Sequence, residues 1–218
     1  MLDPLQMAET ILTAMPVFVF SLVFHEYAHA LTAVRLGHGV VDYEERLTLN
    51  PMAHLDPMGS IIFPMIGLLM GGFIFGWAKP VQWQPRSTRH FWRDSMLVSI
   101  AGPLSNVLLM LVFALLVRAS IGSGLLLSLG PLGDPIFKML RFGVFINALL
   151  AVFNMIPLPP LDGSKVLAYF LKPETAWRLL AINPGMSMML VLALVFMGIL
   201  STPISLLTGL AWGLAGIG

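Results

Sequence analysis

The sequence predicts an all-α polytopic membrane protein, and two observations support this prediction. Of the 218 residues, 57% are hydrophobic and 11% are charged, and the mean hydropathy is +0.87, whereas soluble domains carry about 25% charged residues. Uncharged stretches recur along the chain, and residues 95–117 exceed the roughly 20 residues that cross a bilayer as a helix. We therefore expect a single integral membrane domain over residues 1–218, with its core at about 8–172.

The composition also excludes several classes of function. The formal net charge is +1 and no basic patch occurs, which argues against a nucleic-acid partner. The absence of cysteine excludes disulfides and cysteine-ligated zinc. The first residues lack a basic n-region, so we expect the first helix to be retained and not cleaved as a signal peptide.

The first half of the chain divides into three elements. A helix is predicted at about Leu5–Leu36, because Arg35 followed by Gly37 is a helix stop signal. Residues 40–49 alternate between apolar and polar side chains, which predicts a short β-hairpin at the membrane interface. Residues 57–78 are uncharged but interrupted by proline and glycine. This segment either re-enters the membrane from one face or crosses it at a tilt.

Two further membrane spans are predicted, at residues 95–117 and 136–157. Small residues around Gly102, in the first of these spans, would allow another helix to approach closely. The nearby Asn106 is polar within an apolar span, and its simplest role is to hydrogen-bond between helices.

The C-terminal part begins with an amphipathic piece at residues 164–171 and a polar link that reaches Arg178. Residues 179–218 are uncharged and contain a kink at Ser201-Thr202-Pro203. They form either one bent helix or, as we expect, a C-terminal helical hairpin.

The chemistry concentrates in the first helix, where His25, Glu26 and His29 form an H-E-x-x-H pattern. Residues four apart on a helix lie on one face, so both imidazoles can bind one metal ion. This is the pattern of zinc peptidases, in which the glutamate is the general base. Residues 10–24 carry no charge, which places the motif inside a membrane, where ionisable residues are costly and functional by default. The alternative is an accidental match whose histidines are satisfied by a neighbouring helix.

A catalytic zinc site needs a third protein ligand beside an open position. Asp162 is the best candidate, because prolines within residues 157–160 break the preceding span and free backbone groups that only protein or a water-filled cavity can receive. Its alternative role is to cap the helix that follows. His54 and Asp56 are further candidate ligands, although a histidine in an interfacial loop is usually solvated.

The sequence HEYAH at residues 25–29, combined with NMIPLPPLDG at residues 154–163, closely resembles the site-2 protease family of intramembrane zinc metalloproteases. Residues 101–106 match a third element of that family. Residues 49–57 and 76–81 look like one compact prokaryotic branch of it. The resemblance covers about residues 20–172. No PDZ domain is expected between the spans, because residues 119–138 are too few to contain one.

The resemblance implies a three-helix catalytic core around one zinc ion per chain. The core would consist of the H-E-x-x-H helix, the glycine-proline helix and the helix that ends before the aspartate. His25, His29 and Asp162 would bind the zinc. Glu26 would activate water, and Asn154 would bind the substrate carbonyl or the developing oxyanion.

We therefore expect an intramembrane metalloprotease that hydrolyses a peptide bond within the transmembrane segment of a membrane-protein substrate. The alternative is a non-proteolytic metal-binding membrane protein, either a zinc carrier or a pseudo-protease, which would need the ligands but not Glu26. The expected partners of the protease are its transmembrane substrate and the lipid bilayer. An unwound substrate could pair with an edge strand from residues 40–49. The resemblance implies a multi-pass protein of the prokaryotic cell (inner) membrane. The positive-inside rule predicts that its active site lies toward the cytoplasm.

Overall fold

The computed structural model describes residues 4–42, 46–69, 76–86 and 89–217. Nearly all described elements are helical, as the composition predicts. In chain order they are α1 Pro4–Arg35, β1 Gly39–Val40, α2 Pro51–His54, a π-helical turn Pro57–Ile62, α3 Phe63–Leu69, β2 Trp83–Gln84, α4 Phe91–Gly122, α5 Leu125–Ser128, a 3₁₀ turn Gly130–Leu132, α6 Gly133–Asn154, α7 Asp162–Tyr169, α8 Pro173–Leu180, α9 Pro184–Phe196 and α10 Ser201–Ala215.

Three of the described helices, α1, α4 and α6, are long and apolar enough to cross a membrane, and the chain is an integral multi-pass membrane protein. Lys138 Nζ lies 2.7 Å from Glu9 Oε1, which brings the first turns of α6 and α1 to the same end of the molecule. At the opposite end, His38 Nε2 just after α1 lies 3.1 Å from Asp94 Oδ2 in the first turn of α4. Helices α1 and α6 are therefore parallel, and α4 runs against both.

The helices pack closely where small side chains meet. Ala114 of α4, Ala148 of α6 and Ala211 of α10 are completely buried in one cluster. Gly143 lies against the ring of Phe113. In lipid the association of helices depends on such close packing, because lipid tails are as apolar as the side chains themselves.

The short interfacial sheet is present, but its second strand is not the predicted one. Val40 pairs with Trp83 and Gly39 with Gln84 in antiparallel register, so the partner of β1 comes from the loop before α4. The chain turns at Asp42, which has a φ of +55°, and residues 43–45 lie outside the described part. The alternating pattern at 40–49 reports a half-buried surface segment and cannot identify a partner more than 40 residues away.

Residues 57–69 form one π-helical turn and α3, which together rise roughly 20 Å and fall short of the ~30 Å of hydrocarbon. The ends of the segment meet, because Leu55 and Ala78 form an antiparallel bridge and the Trp77 N–H donates to the Gly59 carbonyl at 3.1 Å. Of the described residues, those at 76–79 therefore return to the point where the segment began. This is the geometry of a re-entrant segment, and a single tilted crossing would separate these ends.

The C-terminal third contains more helix than the sequence indicates. The polar link before Arg178 is helical as α8, which begins with Pro173 at its first position, where proline is favoured. Residues 184–215 form two helices, as expected. The turn between them lies at Met197–Leu200, where Gly198 has a φ of +71°, and Pro203 sits in the first turn of α10.

Candidate metal centre

The structure brings His25, His29 and Asp162 together. The Nε2 atoms of the two histidines are 3.0 Å apart, and Asp162 Oδ2 lies 3.3 Å from His25 Nε2 and 3.2 Å from His29 Nε2. All three side chains are buried. The histidines are one helical turn apart on α1, and the aspartate is the first residue of α7. Two residues from one span and one from a later break in the chain thus converge on one point.

The hydrogen bonds of the two imidazoles show that this group fits a metal ion. His29 Nδ1 lies 2.6 Å from the carbonyl oxygen of Val98, which can only accept, so Nδ1 carries the proton. His25 Nδ1 lies 2.6 Å from Oδ1 of Asn106 and is protonated for the same reason. Both Nε2 lone pairs then face each other and a carboxylate. Three such donor atoms within 4.8 Å of one another match a catalytic zinc site with two histidines and one carboxylate.

Gly102 explains how α4 can lie against this group. A Cβ atom on Gly102 would stand 2.6 Å from both Cε1 and Nε2 of His25 and would also overlap Nε2 of His29. Such distances are far below van der Waals contact. The prediction that small residues here allow close approach of a helix is confirmed, and the approaching groups are the two imidazoles.

Asp162 does not act as the helix cap that was its alternative role. The cap position of α7 is Leu161, no side chain caps this end, and Asp162 is already inside the helix. Its Oδ2 instead faces the Nε2 atoms of both histidines, and a carboxylate binds a metal in its ionised form.

Glu26 and Asn154 line the same cavity of about 470 Å³ as the histidines and Asp162. Glu26 is half-buried, and its Oε2 accepts a hydrogen bond of 3.0 Å from the main-chain N–H of Val81. Asn154 is the last residue of α6, and its Nδ2 donates one hydrogen bond, to the Leu150 carbonyl. The structure therefore places both residues beside the candidate metal ligands.

His54 and Asp56 lie outside this group and have other roles. His54 is completely buried, so the expectation that it is solvated was wrong. Its Nε2 lies 2.8 Å from the carbonyl of Thr48, and its main-chain carbonyl accepts from the Lys79 N–H at 2.8 Å. Asp56 caps the π-helical turn by accepting from the Gly59 N–H at 2.7 Å.

Several residues around the site were missed or undervalued in the sequence. Asn106 does join helices, but it also contacts His25 directly. Ser21 lies one helical turn before His25 on α1, and this i, i+4 spacing could have identified it as a neighbour of the site. Val81 contributes through its main chain, which no side-chain pattern reveals. Ser99 lines the cavity, and its buried hydroxyl has no partner among the described residues.

Comparison with known proteins agrees with this geometry. The model of peptidase family M50 matches residues 13–198. The chain is 36% identical over 171 residues to the "Putative zinc metalloprotease YwhC" of Bacillus subtilis, covering 74% of this chain and 72% of that protein. It is 32% identical over 163 residues to the "Putative zinc metalloprotease Rip2" of Mycolicibacterium smegmatis, covering 72% of this chain and 57% of that protein.

The Mycobacterium tuberculosis protein of the same name is 33% identical over 179 residues, which are 79% of this chain and 62% of that protein. The chain thus covers less than two thirds of either mycobacterial relative. No solved structure matches it significantly. The extent of the family match, together with the H-E-x-x-H helix, shows that this chain belongs to peptidase family M50, the site-2 protease family of zinc metalloproteases.

Proposed function

We propose that this zinc metalloprotease hydrolyses a peptide bond within the transmembrane helix of a membrane-protein substrate. The observation that carries the proposal is the depth of the candidate ligands. His25 lies ten residues before the end of α1, which corresponds to roughly 15 Å along the helix. Gly102, which faces it, lies a similar distance after the start of α4. A site at that depth in the bilayer reaches bonds that are themselves inside the membrane.

We assign His25, His29 and Asp162 as the zinc ligands. Zinc held there would polarise a carbonyl and lower the pKa of a bound water to about 7. Glu26 would accept the proton of the attacking water and pass it to the leaving amine, and its position in the same cavity supports this role. Asn154 retains a second N–H on Nδ2 that can donate to the substrate carbonyl as negative charge develops there.

A substrate helix has to unwind before its bond can be attacked, because its carbonyls are otherwise hydrogen-bonded within the helix. An extended segment could pair with the sheet beside the cavity. Both strands of the sheet have a free edge among the described residues, and we favour the edge of β2 over residues 40–49 because Trp83 of β2 lines the cavity.

We further propose that the metal end of the molecule faces the cytoplasm. The loops and helix ends on that side carry Arg35, Arg46, Lys79, Arg86, Arg89, Arg93, Lys165, Lys172 and Arg178. The opposite end carries Arg118, Lys138 and Arg141, of which Lys138 is paired with Glu9. Basic residues near the ends of spans mark the cytoplasmic side.

The roles of the site residues can be tested in one set of variants. Glu26→Gln should abolish cleavage of a membrane-protein substrate and keep the full zinc content, because it removes the base and leaves the ligands. His25→Ala, His29→Ala and Asp162→Ala should each lose both. Asn154→Ala should keep zinc and lose roughly 10²–10³-fold in turnover, the usual cost of an oxyanion donor.

Zinc content by elemental analysis and turnover by gel assay, on purified protein, decide between the candidates. If the wild-type protein binds zinc but cleaves no membrane-protein substrate, the zinc carrier or pseudo-protease becomes the better description. Cleavage by Glu26→Gln at the wild-type rate would show that Glu26 is not the base. Full zinc content in Asp162→Ala would show that the third ligand is wrongly assigned.

A further inference from the structure

His25 contacts a set of buried polar side chains that the proposed reaction does not use. Ser21 on α1, Asn106 on α4 and Asn147 on α6 are completely buried. We call these three residues the amide network. They join the three long helices at the depth of the candidate metal ligands. Buried amides are costly unless every hydrogen-bonding group has a partner, so we expect each of these side chains to be fully hydrogen-bonded.

The direction of each hydrogen bond in the amide network is determined by a main-chain carbonyl, which can only accept. Ser21 Oγ donates to the Val17 carbonyl at 2.8 Å. Asn147 Nδ2 donates to the Gly143 carbonyl and to Ser21 Oγ, both at 2.9 Å. The carboxamide of Asn147 therefore has one allowed orientation, with Oδ1 turned toward Asn106.

Asn106 is oriented by the same logic. Its Nδ2 donates to Asn147 Oδ1 at 2.9 Å and to the Ser21 carbonyl at 3.3 Å. Both N–H groups are thereby used, and Oδ1 is left facing His25 Nδ1 at 2.6 Å. In the opposite amide orientation, an NH₂ group would face Nδ1 and favour the other imidazole tautomer, whose Nε2 carries the proton and cannot bind a metal.

We propose that the amide network is a positioning device that holds His25 in the tautomer and orientation required for zinc. Polar partners of this kind orient metal-binding histidines, and removing one typically costs about 10–100-fold in metal affinity. The main-chain carbonyl of Val98 orients His29 in the same way. The two imidazoles thus differ, because the partner of His25 can be removed by substitution and that of His29 cannot.

The experiment measures zinc affinity by chelator competition and the absorption spectrum of the cobalt-loaded protein, on purified full-length variants. Asn106→Leu should weaken zinc binding about 10–100-fold and alter the cobalt spectrum. Asn106→Asp retains an acceptor for the His25 Nδ1–H and should stay closer to the wild type. Asn147→Leu touches no ligand but frees the Asn106 amide to rotate, and a loss of up to about tenfold is expected.

Val117→Ala is the matched control, because Val117 is completely buried on the same helix, roughly 16 Å from Asn106 along its axis. It should lower the thermal stability and leave zinc affinity unchanged. If the amide network only joins helices, Asn106→Leu should bind zinc as tightly as Val117→Ala and leave the cobalt spectrum unchanged. Asn106→Asp, with a buried charge, should then be the less stable of the two Asn106 variants. That result would overturn the proposal.

Should Asn106→Leu fail to fold, Asn147→Leu decides the question, since it leaves every group that contacts His25 in place. The inference rests on the proposed zinc site, and the two can fail separately. A wild-type protein whose zinc content does not depend on His25 contradicts the proposed function. A wild-type protein that binds zinc through His25, and network variants that bind it equally well, contradict only the positioning role.

Discussion

At the scale of single residues, Gly102 makes the metal centre sterically possible. Its missing side chain is the space in which the two imidazoles lie, since a Cβ there would overlap His29 Nε2 and stand 2.6 Å from His25 Nε2. The neighbouring atoms belong to candidate ligands whose rings are held by their own hydrogen bonds, and they are not the ends of flexible side chains. A methyl group at this position can be accommodated only by displacing a candidate ligand or separating two helices.

We therefore expect Gly102→Ala to lose zinc more severely than the roughly 10–100-fold typical of substitutions beyond the ligands themselves. Gly122→Ala is the matched control, because Gly122 ends the same helix and a Cβ there meets nothing within 4 Å. It should bind zinc and cleave substrate like the wild type. Elemental analysis and turnover measure both variants, and normal zinc content in Gly102→Ala would show that α4 can shift freely.

At the scale of elements, the segment after α1 leaves and returns at one face. The bridge between Leu55 and Ala78 closes its base, and Ser60 Oγ adds a hydrogen bond of 2.7 Å to the Trp77 carbonyl. Arg46 is buried, and its Nη1 donates to the Lys79 carbonyl. These contacts lead the returning chain directly over Glu26 and into β2, so the re-entrant segment and the cavity share a wall.

Impermeant thiol labelling can test this arrangement, because the chain contains no cysteine of its own. Met52 and Gln82 are exposed on either side of the re-entrant segment, and Ser123 is exposed at the far end of α4. Single cysteines at Met52 and Gln82 should be labelled in inside-out vesicles and protected in intact cells. A cysteine at Ser123 should show the reverse. Labelling of the first two positions from opposite sides would rule out re-entry.

At the scale of the whole molecule, three helices of alternating direction bring all the site residues to one depth. Helix α1 approaches the metal end, α4 leaves it and α6 returns. The second half of α1, the first half of α4 and the break after α6 therefore coincide. The position of the candidate ligands, buried midway along the apolar helices, is a consequence of this order of crossings.

This order of crossings was largely predictable, and the reasons are physical. Long uncharged runs identify α1, α4 and α6 because no other structure satisfies the backbone in lipid. The i, i+4 spacing of His25 and His29 and the proline break before Asp162 indicated the three candidate ligands that the structure brings together. The partner of β1 was not predictable, because strand pairing over such a distance leaves no local signal. Burial of His54 was missed because its contacts with Thr48 and Lys79 depend on how the surrounding chain folds, which leaves no local signal.

The hydrogen bond from the Val81 N–H to Glu26 determines which substitutions at position 81 the protein should tolerate. The group that orients the proposed base belongs to the main chain, so a residue with nearly any side chain at position 81 supplies it equally well. A saturation scan would therefore score this position as permissive, and an alignment would show it as variable. Proline is the exception, since it alone lacks the N–H.

Val81→Pro should lower turnover by about 10–100-fold, corresponding to the roughly 1.5–3 kcal/mol of a hydrogen bond to a charged group, and should retain zinc. Val81→Ala should keep both activity and zinc. A proline variant as active as the alanine variant would show that Glu26 does not depend on this donor.

Position 98, whose carbonyl holds His29, should be permissive to every small apolar side chain for the same reason.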